Sequence, residues 1–287
     1  MNITVIGTGL MGYPMAQRLL KAQYKVSVYN RTVEKTQGLR EGGAIVYSTA
    51  KEAVEAGEVI LLMLTDAQAV KDVLYHDHIH LAGKIVIQMG TIAPQESKDM
   101  ARAVENNKGY YAECPVLGSR HEAAEGKLIL MYGGEKKVFE HYKELLSCFG
   151  PQPKYIGQVG QAAALKLAFN QLIAAHASAF SVSLALVLKN EIDITQFMTI
   201  LRDSALYAPM FDKKLSNWLN GRYENPNFPT KHLLKDVKLV VQACRLVGVD
   251  ETVVEAIKGM FQNAQREGLA ELDYSSVYKV FYQKSEK

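Results

Sequence analysis

Lys166 and Asn170 stand four residues apart in Ala162-Ala163-Ala164-Leu165-Lys166-Leu167-Ala168-Phe169-Asn170, a stretch otherwise apolar. At that spacing the two share one face of a helix. An ammonium group among small apolar side chains loses hydration, which lowers its pKa and makes it a better proton donor near neutral pH. The same residues also permit a lysine stem lying on apolar surface with its charge reaching water. The spacing alone does not choose between the two.

A second pattern, Gly7-Thr8-Gly9-Leu10-Met11-Gly12, follows the apolar run Ile3-Thr4-Val5-Ile6 and opens the helical stretch Met15 to Leu20. Spaced glycines are common, so their weight comes from this strand-before, helix-after context. The first glycine permits a tight turn, the second lets a pyrophosphate approach the backbone, and the third lets helix pack on strand. The anion then meets the unsatisfied N–H groups of the helix start. A second strand, Lys25 to Tyr29, ends at Asn30-Arg31-Thr32. A site for NAD usually has a carboxylate there, on the ribose 2′-hydroxyl. Neutral Asn30 tolerates a 2′-phosphate, Arg31 offers it a guanidinium fork, and Thr32 offers a hydroxyl. NADP is therefore expected over NAD, although Arg31 as a solvated turn residue and Thr32 as a helix cap fit the same letters.

Other positions carry weaker signals. Lys235 precedes Asp236 beside an apolar face, and an exposed charge pair explains both. Thr91 ends the strand-like Lys84 to Gln88 segment, where ligands of open α/β sheets collect, but turn and cap roles fit as well. His76, His78 and His80 alternate as zinc ligands could. With no evident supporting partners a solvated loop is the expectation there, and no metal is expected anywhere in the chain.

These residues need a scaffold. Short apolar runs at residues 59–64, 84–88, 110–113 and 128–132 continue the alternation of strands and helices, which predicts a doubly wound, parallel α/β sheet. From Gln161 to Lys189 the sequence predicts one long helix, followed by helices over 194–203, 210–219, 231–246 and 251–267. Residues 1–159 are thus expected to form a Rossmann domain that binds the dinucleotide. Residues 160–287 are expected to form an all-α domain for substrate and dimerisation, joined by the long interdomain helix.

The 287 residues suit two domains, with 48% hydrophobic and 22% charged residues. A net charge of +3 gives no reason to expect nucleic acid or a membrane surface as partner. There is no signal-peptide pattern and no run of about 18 uninterrupted apolar residues. Cys114, Cys148 and Cys244 are odd in number and far apart, which favours a reducing compartment and a cytoplasmic protein.

Taken in order, several motifs resemble the β-hydroxyacid dehydrogenase family, the group of 3-hydroxyisobutyrate dehydrogenase and the glyoxylate/succinic semialdehyde reductases. They are Ile6 to Ala16, Gly90-Thr91-Ile92-Ala93-Pro94, Glu113-Cys114-Pro115-Val116-Leu117-Gly118-Ser119, Gly157-Gln158-Val159-Gly160-Gln161 leading to Lys166 and Asn170, and Leu234-Lys235-Asp236. The resemblance implies that Lys166 is the catalytic acid/base and that Asn170 holds substrate. It implies that Leu64, Thr65, Thr91 and Lys235 lie at the cofactor, and that the protein is a homodimer or homotetramer. The substrate loop is implied at Leu117, Gly118, Ser119 and Arg120.

Two departures stand out. Leu117 replaces a customary serine, which favours a less polar substrate or leaves the carboxylate to backbone N–H groups, Ser119 and Arg120. Thr65 replaces a frequent proline. The chain is too short for the larger 6-phosphogluconate dehydrogenases, and its lysine sets it apart from the similar imine reductases. The expected function is NADPH-dependent reduction of a small aldehyde acid, of glyoxylate or succinic semialdehyde type, to the hydroxy acid. A 3-hydroxyisobutyrate-type dehydrogenase, a reductase of less polar carbonyls or imines, and a non-catalytic NADP-binding sensor are the alternatives.

Overall fold

The structure, a computed structural model, describes residues 1–75 and 79–282. By packing the chain divides into two compact units, Met1–Leu167 and Ala168–Lys287.

In the first unit β1 (Asn2–Ile6), α1 (Gly12–Lys21), β2 (Lys25–Tyr29), α2 (Gln37–Glu41), β3 (Ile45–Val46), α3 (Ala50–Ala56) and β4 (Val59–Leu62) come first. Then follow α4 (Ala67–Leu74), β5 (Ile85–Gln88), α5 (Pro94–Asn106), β6 (Tyr110–Glu113), β7 (Val116–Leu117), α6 (Arg120–Glu125), β8 (Ile129–Gly133), α7 (Lys136–Ser147) and β9 (Lys154–Gly157). The sheet runs β3-β2-β1-β4-β5-β6-β8-β7, with β9 on β8. Side chains alternate between two cores. Ile3, Val5, Leu61 and Ile87 bury into one, and Ile6, Ile60, Leu62 and Val86 into the other. Strands buried on both faces in this way read as continuous apolar runs, which is why the sequence shows them. The order reverses between β2 and β4 on either side of β1, which opens a crevice beyond the strands' carboxyl ends.

The sheet is parallel through β6 and mixed beyond it. β8 pairs antiparallel with β6 at Glu113–Gly133 and with β7 at Val116–Leu130. Only the short α6 lies between β7 and β8, and a parallel return needs a longer crossover. β3 and β7, two residues each, and β9, which opens on a lysine, carry no periodic signal in the sequence.

Helix α8 (Gln161–Lys189) begins in the first unit and continues into the second, which adds α9 (Ile194–Asp203), α10 (Pro209–Asn220), α11 (Thr230–Val247) and α12 (Thr252–Arg266). Asp193 caps α9 by accepting from the Gln196 N–H at 2.9 Å, and left-handed Gly221 and Gly248 end α10 and α11. Phe180 of α8 stacks on Phe211 at 4.6 Å, with Trp218 also at 4.6 Å, to centre the helical core. By length and composition α8 could cross a membrane, yet Ala174, Ala177, Phe180, Ser181 and Leu184 are buried in its own fold.

Candidate active site

The glycine turn is set by close backbone approaches. A Cβ on Gly7 (φ +93°) would lie 2.4 Å from the Met63 carbonyl, and one on Gly12 would lie 1.9 Å from the Gly7 carbonyl. A Cβ on Gly90 would come within 2.4 Å of the Leu64 carbonyl. The loops carrying Gly7–Gly12, Leu64-Thr65 and Gly90-Thr91 are therefore pressed together at the carboxyl edge of β1, β4 and β5. Asn30 ties the turn to the end of β2: its Oδ1 accepts from the Thr8 N–H at 3.0 Å and its Nδ2 donates to the Thr32 carbonyl at 2.8 Å. Arg31 and Thr32 project exposed beside this clasp, and Thr32, at the helix-cap position, makes no cap bond through its side chain.

A Cβ on Gly9 meets nothing within 4 Å. The helix start that follows, at Met11, has no capping side chain. Open space over a glycine and uncapped N–H groups beside it fit a pyrophosphate. Gly9→Ala is therefore expected to leave thermal stability within about 1–2 °C, since it strains nothing, while weakening nicotinamide dinucleotide binding by about tenfold or more through loss of close backbone approach. Calorimetry and a fluorescence titration of NADPH read the two effects separately.

Lys166 is 8% exposed and Asn170 1% exposed, one turn apart on α8. The buried arrangement is thus the one adopted, not the solvated lysine. Asn170 Nδ2 donates to Asp236 Oδ2 at 2.6 Å, and Lys235 Nζ lies 2.8 Å from Asp236 Oδ1. Asp236 on α11 is 2% exposed, so it is a buried carboxylate and not half of an exposed surface pair. Here it fixes the amide of Asn170. With Nδ2 on a carboxylate, Oδ1 faces the other way, and it is buried without a partner. An orphaned buried acceptor costs about 1–3 kcal/mol until a donor arrives, and a substrate hydroxyl is such a donor.

Glu113 is the second residue whose importance the sequence hid. Although the motif contains it, nothing in its letters shows that it is buried at the end of β6 against the start of α8. Burial pushes its carboxyl above the usual carboxylate range, while the Ser97 hydroxyl and the N–H groups of Ala163 and Gly160 oppose that shift.

The loop of Leu117 to Arg120 differs from expectation in what it leaves available. Gly118 is left-handed (φ +131°), and a Cβ there would lie 2.7 Å from Leu128. Ser119 donates both its N–H, at 2.8 Å, and its hydroxyl to the Glu122 carboxylate as the cap of α6. Ser119 is thereby committed to the helix. Half-buried Leu117 adds no polar group, and exposed Arg120 remains. Arg120 lines an open cleft of ≈ 570 Å³ together with Thr8, Gly9, Leu10 and Lys35, on the glycine-turn side. Among the described residues no group of three or more His, Cys, Asp and Glu side chains could hold a metal. His76 and His78 lie outside the described residues.

A Rossmann-type sheet with this glycine turn defines a dinucleotide-binding fold. The family model for the NAD binding domain of 6-phosphogluconate dehydrogenase matches residues 2–160, and that for the NAD-binding domain of NADP-dependent 3-hydroxyisobutyrate dehydrogenase matches 160–281. The chain belongs to the β-hydroxyacid dehydrogenase family and is an NAD(P)-dependent oxidoreductase of that type. It is 33% identical over 281 residues to glyoxylate/succinic semialdehyde reductase 1 of Arabidopsis thaliana, covering 96% of this chain and 97% of that one. It is 30% identical to the cytokine-like nuclear factor N-PAC of Drosophila melanogaster, covering 95% of this chain and 46% of that longer protein. The crystal structure of 3-hydroxyisobutyrate dehydrogenase from Salmonella typhimurium superposes with a TM-score of 0.87 at 22% identity, covering 98% of this chain and 99% of that one.

Proposed function

We propose that the protein reduces a small aldehyde acid, of glyoxylate or succinic semialdehyde type, to the hydroxy acid with NADPH. The observation that carries this reading is buried Lys166 one turn before Asn170, whose amide is held by Asp236. The relative named for glyoxylate and succinic semialdehyde supports the substrate class. Arg31, Thr32 and neutral Asn30 support NADP over NAD.

When bound, NADPH would supply hydride to the carbonyl carbon. Lys166 Nζ gives its proton to the oxygen as it becomes an alkoxide, and takes the hydroxyl proton in the reverse direction. Asn170 Oδ1 accepts from the resulting hydroxyl, which relieves the orphaned acceptor. The N–H group of Gly118 is assigned to the carboxylate: Ser119 is already bound to Glu122, the Leu117 N–H faces Ile129 in the β7–β8 ladder, and Arg120 lines the glycine-turn cleft. Leu64, Thr65 and Thr91 would line the cofactor, and Lys235 is assigned to the same role.

A second reading, reduction of a less polar carbonyl, is favoured by Leu117 together with the committed Ser119. NADPH consumption against a panel of aldehyde acids and their uncharged analogues decides between them. Turnover is expected with glyoxylate or succinic semialdehyde, at about tenfold or more the efficiency of the uncharged analogue, the value of one charge-assisted hydrogen bond. Equal efficiency would move the assignment to the less polar carbonyl. NADPH binding with no consumption across the panel would make the protein a sensor.

A homodimer or homotetramer is proposed on the uncovered stripe Ala168, Leu172, Ala179, Val182 and Leu186, which recurs at helical spacing along α8. A monomer in sedimentation would remove it. A cytoplasmic location is proposed on three free cysteines, and fractionation tests it.

A further inference from the structure

We infer that Glu113 is a positioning residue for Lys166, acting through the start of α8; this rests on the assignment of Lys166 as the acid/base.

Glu113 is 1% exposed at the end of β6. Its Oε1 accepts from two backbone N–H groups at the start of α8, those of Gly160 and Ala163, both at 2.9 Å. Its Oε2 accepts from the Ser97 hydroxyl, which is itself bonded to the Tyr111 hydroxyl at 2.9 Å. The carboxylate is thus gripped from α5 and β6 on one side and grips the helix on the other. Space is cleared for it as well: a Cβ on Gly133 would come within 2.7 Å of Oε1.

Helix starts are commonly capped by a residue in the adjoining turn, as α4 is by Asp66 and α9 by Asp193. Such a cap satisfies N–H groups but leaves the helix free to shift as a body. Glu113 reaches α8 from 47 and 50 residues away and refers the helix to the sheet. Its negative charge also suits the positive end of the helix dipole.

Ala163, whose N–H is held, lies three residues before Lys166, so the two share a face about 4.5 Å apart along the axis. Helical side chains lean toward the N-terminus, so the Lys166 stem lies back over the turn that Glu113 fixes. A shift of that turn moves Nζ directly, and a misplacement of about 1 Å in a reacting group can cost about 10²-fold. Glu113 touches neither hydride nor carbonyl, and its effect on rate passes through Lys166.

A double-mutant cycle tests this, with kcat at saturating substrates, NADPH affinity by fluorescence and folding by circular dichroism measured on each variant. Glu113→Ala is expected to lower kcat about 10–100-fold with NADPH affinity unchanged within about twofold. Glu113→Gln is expected to restore most of the loss, because its amide oxygen can accept the same two N–H bonds. The pair Glu113→Ala/Lys166→Ala is expected to be no slower than Lys166→Ala alone, as two residues acting as one unit require. Losses that multiply in the double variant, or a folded Glu113→Ala that keeps full kcat while Lys166→Ala loses it, would overturn the inference. Full turnover by Lys166→Ala would instead overturn the assignment beneath it. If Glu113→Ala does not fold, Ser97→Ala takes its place in the cycle. It frees Oε2 while leaving the helix bonds in place, and its smaller loss, about 3–10-fold, must vanish in the Lys166→Ala background.

Discussion

Replacement of Lys166 by alanine is expected to lower kcat by about 10²–10⁴-fold, the usual worth of general acid catalysis, with NADPH affinity unchanged within about twofold. The reason lies in the environment of the side chain. Lys166 is 8% exposed on a helix face it shares with Asn170, and Leu167 beside it is 2% exposed, so an alkoxide forming there has few waters from which to take a proton. The loss should fall on kcat and on kcat/KM together, because the proton is transferred in the transition state and not on binding. The cofactor turn is shaped by Gly7 to Gly12 and Asn30 and should bind NADPH as before. Stopped-flow measurement of a single turnover reads the chemical step directly. Unchanged turnover would remove Lys166 from the mechanism and leave Asn170 and Asp236 without an acid to organise.

Arg31→Asp is expected to reverse the cofactor preference. The guanidinium fork and a 2′-phosphate form charge-assisted hydrogen bonds worth about 1.5–3 kcal/mol, or about 10–150-fold in affinity. A carboxylate in its place repels the phosphate and can accept from a ribose 2′-hydroxyl, so both cofactors move, in opposite directions. The ratio of kcat/KM for NADPH over NADH should fall by about 10²–10³. Arg31 is exposed, and the wild-type preference should therefore narrow as salt rises. Asn30 is the less suitable target, because its Oδ1 and Nδ2 both hold the turn. An unchanged ratio in Arg31→Asp would show that the 2′ position is read elsewhere, and Lys35 in the neighbouring cleft would be the next residue to replace.

What could be read along the chain and what could not divide by distance in sequence. Helix α8 was legible to its ends, Gln161 and Lys189, because a long Ala- and Leu-rich segment without breakers has one stable form. Strands β1, β2, β4, β5, β6 and β8 were legible because burial on both faces demands apolar runs, and the glycine turn because three glycines sit between strand and helix. β3, β7 and β9 were not, since their partners rather than their own residues make them strands.

The site divides the same way. Residue types and local spacing marked Lys166, Asn170, Gly9 and Arg31, because a helix turn and a glycine turn are local geometry. Whether Lys166 was buried or solvated depended on packing. The motif offers Ser119 to a substrate, whereas in the fold it donates to Glu122, a bond that its three-residue spacing permits but does not require. Asp236 lies 66 residues from the amide it orients, and Glu113 lies 47 and 50 residues from the helix bonds it accepts. A carboxylate's partner at that separation is chosen by how sheet and helices pack, and only the tertiary structure could decide it.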